Sequence, residues 1–329
     1  MRVIVTGGLG YIGAHICVEL INEGFEPHIV DDLSNSSLDT LENIEKVFGT
    51  RPALYKVDIR DEDTITSLFH QIRPAAVIHC AALKDVAESF DRREAYNAVN
   101  VEGTQSLLNI CATASVEKLI FSSSVAVYGV PNELPILESS RTSPISPYGQ
   151  SKLDGEGLIQ ALSGKSAQFN SIILRCSNPV GAHPSGALGE LALSEPSSLM
   201  PAICRAAKTG EPVNVFGADY PTEDGTAKRD YIHVVDVAKA HVAALKYLDE
   251  SDAGSTILNV GMGRSYSVLE MIECFERVNG QPIARVPTSP REGDAAESYS
   301  KNSKAISLLN WTPKYDLEEM CMHSWKWCS

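Results

Sequence analysis

The sequence predicts an α/β protein with a doubly wound parallel sheet and a smaller, interleaved α/β domain. Two observations support this fold class. Short apolar segments alternate with amphipathic segments through the first half of the chain, a pattern typical of parallel strands joined by helical crossovers. After Arg175 the sequence becomes rich in proline, glycine and serine, which indicates a second unit with shorter elements.

The strands and helices of the first half are predicted in alternation. Right-handed crossovers then place the strands in one sheet with helices on both faces. The predicted strands are Arg2–Thr6, Glu26–Asp31, Ala53–Val57, Ala76–His79, Lys118–Ser122 and Ser171–Arg175. The predicted helices are Tyr11–Glu23, Leu38–Phe48, Glu62–Gln71, Val99–Ser115 and Tyr148–Leu162.

The second half does not separate from the first at one clean boundary. We predict that residues 1–175 form the first domain and that residues 229–260, with a helix over Val235–Tyr247, return to it. Residues 176–228, with a helix near Leu199–Thr209, and residues 261–329 are predicted to form the second domain. The two domains are therefore expected to be interleaved along the chain.

The composition argues against several classes of function. The net charge is −14 and the pI is near 5.0, and such an acidic balance disfavours nucleic-acid binding. The eight cysteines contain no C-x-x-C pair, so we expect no metal site and reduced, buried thiols in the cytoplasm. Met1-Arg2 lead directly into a strand, so we expect no signal segment. No apolar stretch approaches the roughly 20 residues of a membrane helix.

A glycine-rich turn follows the first predicted strand and opens the first predicted helix. Gly7, Gly10 and Gly13 form the pattern G-x-x-G-x-x-G. Glycines at these places allow a tight turn, close approach of the backbone to a pyrophosphate and close packing of helix on strand. The N–H groups at the helix start also suit phosphate. The turn therefore predicts a dinucleotide site of the Rossmann type.

Acidic residues at the ends of the next two strands define the expected dinucleotide. Asp31 ends the second predicted strand, where a carboxylate accepts hydrogen bonds from the adenosine ribose. With Asp32 it would repel a 2′-phosphate, which predicts NAD rather than NADP as the cofactor. Asp58 can accept from the adenine amine, and Ile59 can pack on the ring.

A candidate catalytic set follows the fifth predicted strand. Tyr148 and Lys152 are four residues apart, so they share one face of a helix. The Lys152 ammonium is expected to lower the pKa of the Tyr148 phenol from about 10 toward the working pH, and the helix start also favours a phenolate. Ser124 would donate a hydrogen bond to the same substrate oxygen.

These residues belong to longer segments that resemble the UDP-glucose 4-epimerase (UDP-galactose 4-epimerase) family of extended short-chain dehydrogenases/reductases. The resemblance covers nearly the whole chain. Its segments are TGGLGYIGAH (6–15), VDDLSNS (30–36), DIR (58–60), VIHCAALKDVAES (77–89), FSSSVAVYG (121–129), SPYGQSKL (146–153), NPVGAHPSG (178–186), DYPTEDGTAKRDYIHVVDVA (219–238) and REGD (291–294).

The resemblance implies roles for individual positions. The residues implied for NAD are Gly7, Gly10, Tyr11, Ile12, Gly13, Asp31, Asp32, Leu33, Asn35, Ser36, Asp58, Ile59, Ala81, Ala82, Lys84, Asn100, Tyr148, Lys152 and Ser177. The residues implied for a UDP-hexose are Ser124, Tyr148, Asn178, Ser198, Leu199, Asn214, Phe216, Arg229, Arg291, Asp294 and Ser298. The two arginines suit a diphosphate because a guanidinium donates bidentately.

The resemblance also implies a reaction, reversible epimerisation at C4 of UDP-glucose and UDP-galactose. Tyr148 would remove the O4 proton while the hydrogen of C4 passes to tightly held NAD. The 4-keto sugar would then turn about its link to the diphosphate and take the hydrogen back on its other face. A homodimer that pairs through two helices of the first domain is implied by the same resemblance.

Several positions depart from the family pattern. Cys176-Ser177 stand where the family has Tyr-Phe, and Ser197-Ser198 stand where it has Asn-Asn. Val99 replaces an asparagine and Ala126 a threonine. All of them are expected near the nicotinamide or the sugar, so they leave substrate identity and rate open.

Other functions remain as alternatives. A nucleotide-sugar dehydratase would carry Asp-Glu where this chain has Ser123-Ser124. A non-catalytic NAD-binding regulatory protein is suggested by the changed Cys176-Ser177 but opposed by the intact catalytic set. A UDP-N-acetylhexosamine 4-epimerase, or dual specificity, is suggested by Ser298, because this position walls the pocket beside the C2 substituent in the family. Its small side chain leaves room for an N-acetyl group.

Overall fold

The computed structural model describes residues 1–191, 198–251, 254–291 and 294–329 of the chain. Its strands are β1 (Arg2–Thr6), β2 (Glu26–Asp31), β3 (Ala53–Lys56), β4 (Ala76–His79), β5 (Lys118–Ser124), β6 (Asn170–Cys176), β7 (Asn178–Val180), β8 (Val213–Phe216), β9 (Lys228–Arg229), β10 (Tyr231–His233), β11 (Ser255–Val260), β12 (Tyr266–Ser267), β13 (Arg285–Thr288) and β14 (Glu297–Ser298).

The first ten α-helices lie between strands along the chain, and the last two follow β14. The helices are α1 (Tyr11–Asn22), α2 (Leu38–Phe48), α3 (Glu62–Ile72), α4 (Val86–Asp91), α5 (Arg93–Tyr96), α6 (Gly103–Thr113), α7 (Pro147–Lys165), α8 (Leu199–Thr209), α9 (Val234–Glu250), α10 (Val268–Asn279), α11 (Ser303–Leu309) and α12 (Leu317–Cys328). None of the helices in the described ranges is long and apolar enough to cross a membrane.

A seven-stranded sheet forms the centre of the first half. Its strands lie in the order β11-β6-β5-β4-β1-β2-β3, and every neighbouring pair is parallel. The order reverses between β1 and β4, so the carboxyl ends of these strands open a crevice at one edge of the sheet. Helices cover both faces, and Val3, Ile4 and Val5 of β1 are fully buried. The predicted doubly wound parallel sheet is confirmed.

The smaller sheets lie outside the central one. β7 pairs with β10, β8 pairs with β13, and β9 lies between β12 and β14. A separate apolar cluster joins them to helices α8, α10 and α12, and it includes the fully buried Ile203, Met271 and Phe275. The chain returns from this region to the large sheet at β11, and α9 packs against α1. The domain boundary at residue 175 itself stays a prediction.

Several predicted boundaries differ from those of the structure, and two of the differences concern residues of the later site. The helix predicted over Val99–Ser115 is wrong at its start, because the chain is already helical in α5 and passes through a π-helical segment (Asn97–Glu102) before α6. The wider turn aims the Asn100 amide at a neighbouring loop. β5 also runs to Ser124 rather than Ser122, because Ser123 and Ser124 pair in register with β6.

Candidate active site

The predicted glycine turn forms a tight cradle at the carboxyl end of β1. Gly7 has φ +66°, and a Cβ there would lie 2.7 Å from the backbone nitrogen of Ala81. A Cβ on Gly13 would lie 2.2 Å from the carbonyl oxygen of Gly7. Gly10 is the N-cap of α1 and has no side chain, so no capping side chain covers the first N–H groups of the helix. The cradle therefore fits the pyrophosphate of a dinucleotide.

Asp31 joins the glycine turn to the loop after β2. Its carboxylate accepts hydrogen bonds from the backbone N–H of Leu9 (2.9 Å), the N–H of Leu33 (3.0 Å) and the hydroxyl of Ser36 (2.6 Å). A carboxylate offers about four acceptor positions, so it can accept one further hydroxyl. Leu33 adopts φ 65°, which lets the loop fold back over the carboxylate.

The remaining residues of this loop lie at the surface. Asp32 accepts hydrogen bonds from the backbone N–H and the hydroxyl of Ser34. Asp32 and Asn35 are exposed beside the turn. The expected role of Asp32 near the adenosine ribose stays a prediction.

Asp58 has a protein partner that the sequence did not predict. Its carboxylate accepts from Nε and Nη2 of Arg60, at 3.0 and 2.6 Å, and the Arg60 guanidinium holds the pKa of this carboxyl below its usual value. Ile59 is buried, and its Cδ1 would lie 2.8 Å from a Cβ on Gly103. The structure thus places Ile59 against the start of α6.

Other predicted cofactor residues line the crevice between β1 and β4. The Tyr11 hydroxyl donates to the carbonyl of Gly181 at 2.6 Å, and Ile12 packs against the apolar core. Lys84 forms an ion pair with Glu190 at 2.7 Å, and its Nζ lies 5.9 Å from the Tyr11 ring centroid.

The loop after β4 completes this edge of the crevice. The Ala81 N–H donates to the Thr6 hydroxyl at 3.3 Å, and Ala82 next to it is partly buried. The Asn100 amide donates to the Leu83 carbonyl at 3.0 Å and to the Ser151 hydroxyl at 2.9 Å. Asn100 therefore connects this loop to α7.

The predicted catalytic residues come together where β5 ends and α7 begins. The Ser146 side chain caps α7 by accepting from the Gly149 N–H at 3.0 Å, which places Tyr148 in the first turn. The Tyr148 hydroxyl makes a hydrogen bond with Ser124, and this bond lowers the Tyr148 pKa. The two residues are therefore arranged to share one substrate oxygen.

The expected lowering of the Tyr148 pKa is wrong. Burial outweighs the hydrogen bond from Ser124 and raises the pKa of Tyr148 to about 12. The Lys152 ammonium donates instead to the carbonyl of Ser122 at 2.9 Å, and it lies 4.9 Å from the Phe121 ring centroid. Burial also lowers the pKa of Lys152 to about 8. A charged Lys152 is thus costly here, so its charge depends on its neighbours.

Ser177 and Asn178 occupy the connection from β6 to β7. Ser177 is 3% exposed, and its hydroxyl lies 3.4 Å from that of Ser300. The Asn178 N–H donates to the carbonyl of Asp230 at 3.0 Å. Ser177 thus faces other polar groups of the protein, where the family has a phenylalanine.

The residues predicted for the UDP-sugar gather around the three small sheets. Arg229 forms an ion pair with Asp294. The Arg291 guanidinium carbon lies 4.3 Å from the Phe216 ring centroid. Ser298 is the register partner of Arg229 in the pair of β14 with β9. Two guanidinium groups and one small hydroxyl side chain therefore belong to one region.

Three further predicted residues lie on neighbouring elements. Asn214 is exposed in β8, and Ser198 and Leu199 form the start of α8, where Ser198 is exposed. Ser197, Glu292 and Gly293 from the predicted segments lie outside the described residues.

Two residues of this region were not singled out from the sequence. The buried hydroxyl of Tyr220 has no hydrogen-bond partner within the described ranges, and the charges of Asp294, Arg229 and Arg291 act on its pKa, which burial raises. Asp230 accepts from the N–H of Met262 at 2.7 Å, and burial raises its pKa to about 6. Both belong to the segment at 219–238, which could have indicated them.

Comparison with known proteins gives consistent results. The family described as "NAD dependent epimerase/dehydratase family" matches residues 3–261. The chain is 43% identical to a UDP-glucose 4-epimerase of Dictyostelium discoideum, over 100% of this chain and 96% of that protein. Among solved structures, a UDP-glucose-4-epimerase from Stenotrophomonas maltophila with bound NAD and formylated UDP-arabinopyranose matches with TM-score 0.97, 43% identity and coverage of 100% and 98%. A Bifidobacterium longum UDP-glucose 4-epimerase in complex with NAD+ and UDP matches with TM-score 0.96, 40% identity and coverage of 99% and 98%.

Proposed function

Because the chain belongs to the NAD dependent epimerase/dehydratase family, we propose that it catalyses the reversible C4 epimerisation of UDP-glucose and UDP-galactose with bound NAD. The observation that carries the proposal is the position of the catalytic set. Ser124 ends β5 and the glycine cradle follows β1, and both strands belong to one parallel sheet, separated by β4. Their carboxyl ends therefore open onto the same crevice.

Tyr148 is the proposed acid and base. Its hydroxyl shares a hydrogen bond with Ser124, so both can reach O4 of a hexose. With a pKa raised to about 12, the phenol needs the Lys152 ammonium nearby to release its proton near neutral pH. Bound NAD supplies the two-electron acceptor that takes up and returns the hydrogen of C4.

The cofactor is proposed to lie along the crevice between β1 and β4. The N–H groups at the start of α1 would bind its pyrophosphate, and Asp31 would accept from the adenosine ribose. Lys84 would lie beside the same phosphates. The fit rests on the room left by Gly7 and Gly13, where a Cβ would meet backbone atoms.

The nucleotide part of the substrate is proposed to bind at the small sheets. Arg229 and Arg291 would bind the diphosphate, and Phe216, Asn214, Leu199 and Asn178 would surround the uridine. Asp294, Ser198 and Ser298 complete the proposed site. The 4-keto sugar would then turn about its link to a diphosphate that the arginines keep in place, so that both faces of C4 reach the same cofactor.

The alternatives from the sequence are weaker. The relatives described above are UDP-glucose 4-epimerases, so neither a main activity on N-acetylated sugars nor a non-catalytic role is favoured. Dehydration lacks its acid and base, because Ser123 and Ser124 stand in the place of Asp-Glu.

We also propose a cytoplasmic homodimer that pairs through helices of the first domain, as the family resemblance implies. The interleaved domain division at residue 175 belongs to the same proposal. Analytical ultracentrifugation should give twice the chain mass of 35.6 kDa. A species at the mass of one chain across micromolar concentrations would reject the dimer.

The direct test of the proposed activity is proton NMR of UDP-galactose incubated with the purified, NAD-loaded protein. We expect the C4 and anomeric signals of UDP-glucose to appear until an equilibrium mixture is reached. The same assay with UDP-N-acetylgalactosamine measures any second specificity. Failure to convert UDP-galactose, with NAD shown to be bound, would reject the proposal.

A further inference from the structure

A buried ion pair lies directly behind the candidate catalytic residues. Glu156 and Arg175 are 1% and 3% exposed. Nη2 of Arg175 donates to Oε2 of Glu156 at 2.6 Å, and Nε donates to Oε1 at 2.9 Å. The Ser123 hydroxyl donates to the same Oε1 at 2.6 Å. The Glu156 carboxylate is thus bound by groups from both β5 and β6.

The position of this pair in the fold connects it to the chemistry. Tyr148, Lys152 and Glu156 follow each other at intervals of four residues on α7, so they lie along one face of the helix. Ser123 precedes Ser124 in β5. Arg175 in β6 is the register partner of Ser123. One carboxylate therefore fixes α7 to the ends of two strands, one helical turn beyond Lys152.

The groups around Lys152 single out Glu156 electrostatically. Burial raises the pKa of both Cys80 and Cys176 to about 12, so these thiols are uncharged near neutral pH. Burial lowers the pKa of His79 to about 3 and that of His241 to about 4, so these imidazoles are neutral as well. Tyr148 remains a phenol at this pH. Of the three residues that raise the Lys152 pKa, Glu156 is the one carboxylate, and it is the one paired with Arg175.

We propose that Glu156, clamped by Arg175 and Ser123, is the positioning residue that holds Lys152 behind Tyr148 as an ammonium. Glu156 is 1% exposed and bound on both carboxylate oxygens by protein groups. It acts through Lys152, whose Nζ is also held by the Ser122 carbonyl. The role of Glu156 in turnover rests on the function proposed above, whereas its effect on the pKa of Lys152 does not depend on that function.

Glu156→Gln tests the proposal because it keeps the shape and removes the charge. Loss of this carboxylate disfavours the protonated amine, so the Lys152 pKa should fall by about one pH unit from its value of about 8. The alkaline limb of the kcat profile should move to lower pH by the same amount. At pH 8 this shift lowers the protonated fraction of Lys152 from about one half to about one tenth, so we expect kcat to fall roughly fivefold, with KM for UDP-galactose within about twofold because the arginines are untouched.

The Lys152 pKa can be measured without turnover. Acetic anhydride labels only neutral amines, so the extent of Lys152 acetylation in the NAD-loaded protein, read by peptide mass spectrometry across pH, reports its ionisation. We expect the midpoint of Glu156→Gln below that of the wild type and the midpoint of Glu156→Asp close to it. If the wild type fails to convert UDP-galactose, the proposed function fails, while these midpoints still decide the role of Glu156.

Asp236→Asn is the matched control. Asp236 is a fully buried carboxylate that accepts from the N–H groups of Lys314 and Tyr315 on another loop, so its loss should lower Tm without moving either pH midpoint. If Glu156→Gln leaves Arg175 unpaired and does not fold, the double variant Glu156→Met, Arg175→Met replaces the pair by apolar side chains. Midpoints and pH profile that match those of Asp236→Asn, in whichever variant folds, would overturn the proposal.

Discussion

The two halves of the candidate site are built from different parts of the chain. The cofactor half is made largely of backbone: the turn with Gly7 and Gly13 and the uncapped start of α1, set on the buried strand β1. The sugar half is made of side chains, above all Arg229 in the three-stranded sheet and Arg291 in the loop between β13 and β14.

The difference matches what each half must do in the proposed reaction. A cofactor that is regenerated in every cycle benefits from a rigid cradle, and such a cradle tolerates no added atom. A sugar that must show both faces needs only its diphosphate held. Substitutions in the first half should therefore cost cofactor retention, whereas those in the second should change affinity or specificity while NAD stays bound.

The largest effect is expected where the halves meet. Tyr148→Phe removes the proposed acid and base, so turnover of UDP-galactose should fall roughly 10²- to 10⁴-fold. NAD should stay bound, because the glycine turn is unchanged. Activity is followed by NMR, and bound NAD is quantified after denaturation. A variant that keeps near-native kcat would remove Tyr148 from the mechanism.

Gly13→Ala should break the cofactor half. The new Cβ would lie 2.2 Å from the Gly7 carbonyl oxygen, so the turn must shift and NAD should be lost on purification. Gly164→Ala, on an exposed part of α7 with no atom within 4 Å of the new Cβ, is the control and should raise stability by up to about 1 kcal/mol. If Gly13→Ala and Gly164→Ala contained equal amounts of NAD, the claim that the glycine turn tolerates no added atom would be wrong.

Arg229→Met should weaken the sugar half alone. Loss of a charged hydrogen bond to the diphosphate, worth about 1.5–3 kcal/mol, predicts a KM for UDP-galactose roughly 10- to 100-fold higher, with NAD content unchanged. The control is Arg51→Met, which also removes one arginine but breaks only an exposed ion pair with Glu45. If Arg229→Met also releases NAD, the claim that the two halves of the site act independently is wrong.

Asp31→Gly should weaken NAD binding and also change cofactor choice. Removing the carboxylate removes its repulsion of a 2′-phosphate, so the preference of the stripped protein for NAD over NADP should narrow by roughly tenfold. Because Asp31 also holds the N–H groups of Leu9 and Leu33, Tm should fall as well. Isothermal titration with both dinucleotides measures the preference, with Asp32→Gly as the comparison. Equal affinity of the wild-type protein for both would contradict the prediction.

The smallest effect on the main reaction is expected at Ser298. Ser298→Tyr should change turnover of UDP-galactose by less than about threefold, and it should remove whatever activity the protein has on UDP-N-acetylgalactosamine, because a ring replaces a small hydroxyl side chain. Both substrates are compared in the NMR assay. A wild type that turns over no N-acetylated sugar would show that other walls close the pocket.

Much of the cofactor half could be predicted from the sequence because its signals are local. A glycine pattern after a strand, an acid at the end of the next strand and an alternation of elements all arise within a few residues. The Asp58–Arg60 pair was not predicted, although the two residues are only two positions apart, because no spacing rule for dinucleotide sites includes such a pair; the expected contact of Asp58 with adenine stays a prediction.

The electrostatics of the catalytic residues could not be predicted in the same way. The pattern Tyr148-x-x-x-Lys152 shows that the two share a helix face, but burial of the phenol and the lysine's bond to Ser122 depend on how α7 packs on β5. The Glu156–Arg175 pair joins residues 19 positions apart. Long-range packing therefore decides what a local motif can do.

The central claim is that the hydrogen removed from C4 is stored on the protein-bound cofactor and returned to the same carbon. UDP-galactose labelled with deuterium at C4 tests this most directly when it is incubated with the NAD-loaded protein in ordinary water. The account predicts UDP-glucose that retains the deuterium at C4, with no exchange into solvent detectable by NMR. Loss of the label to water at the rate of epimerisation would contradict it, because the C4 hydrogen would then leave as a proton.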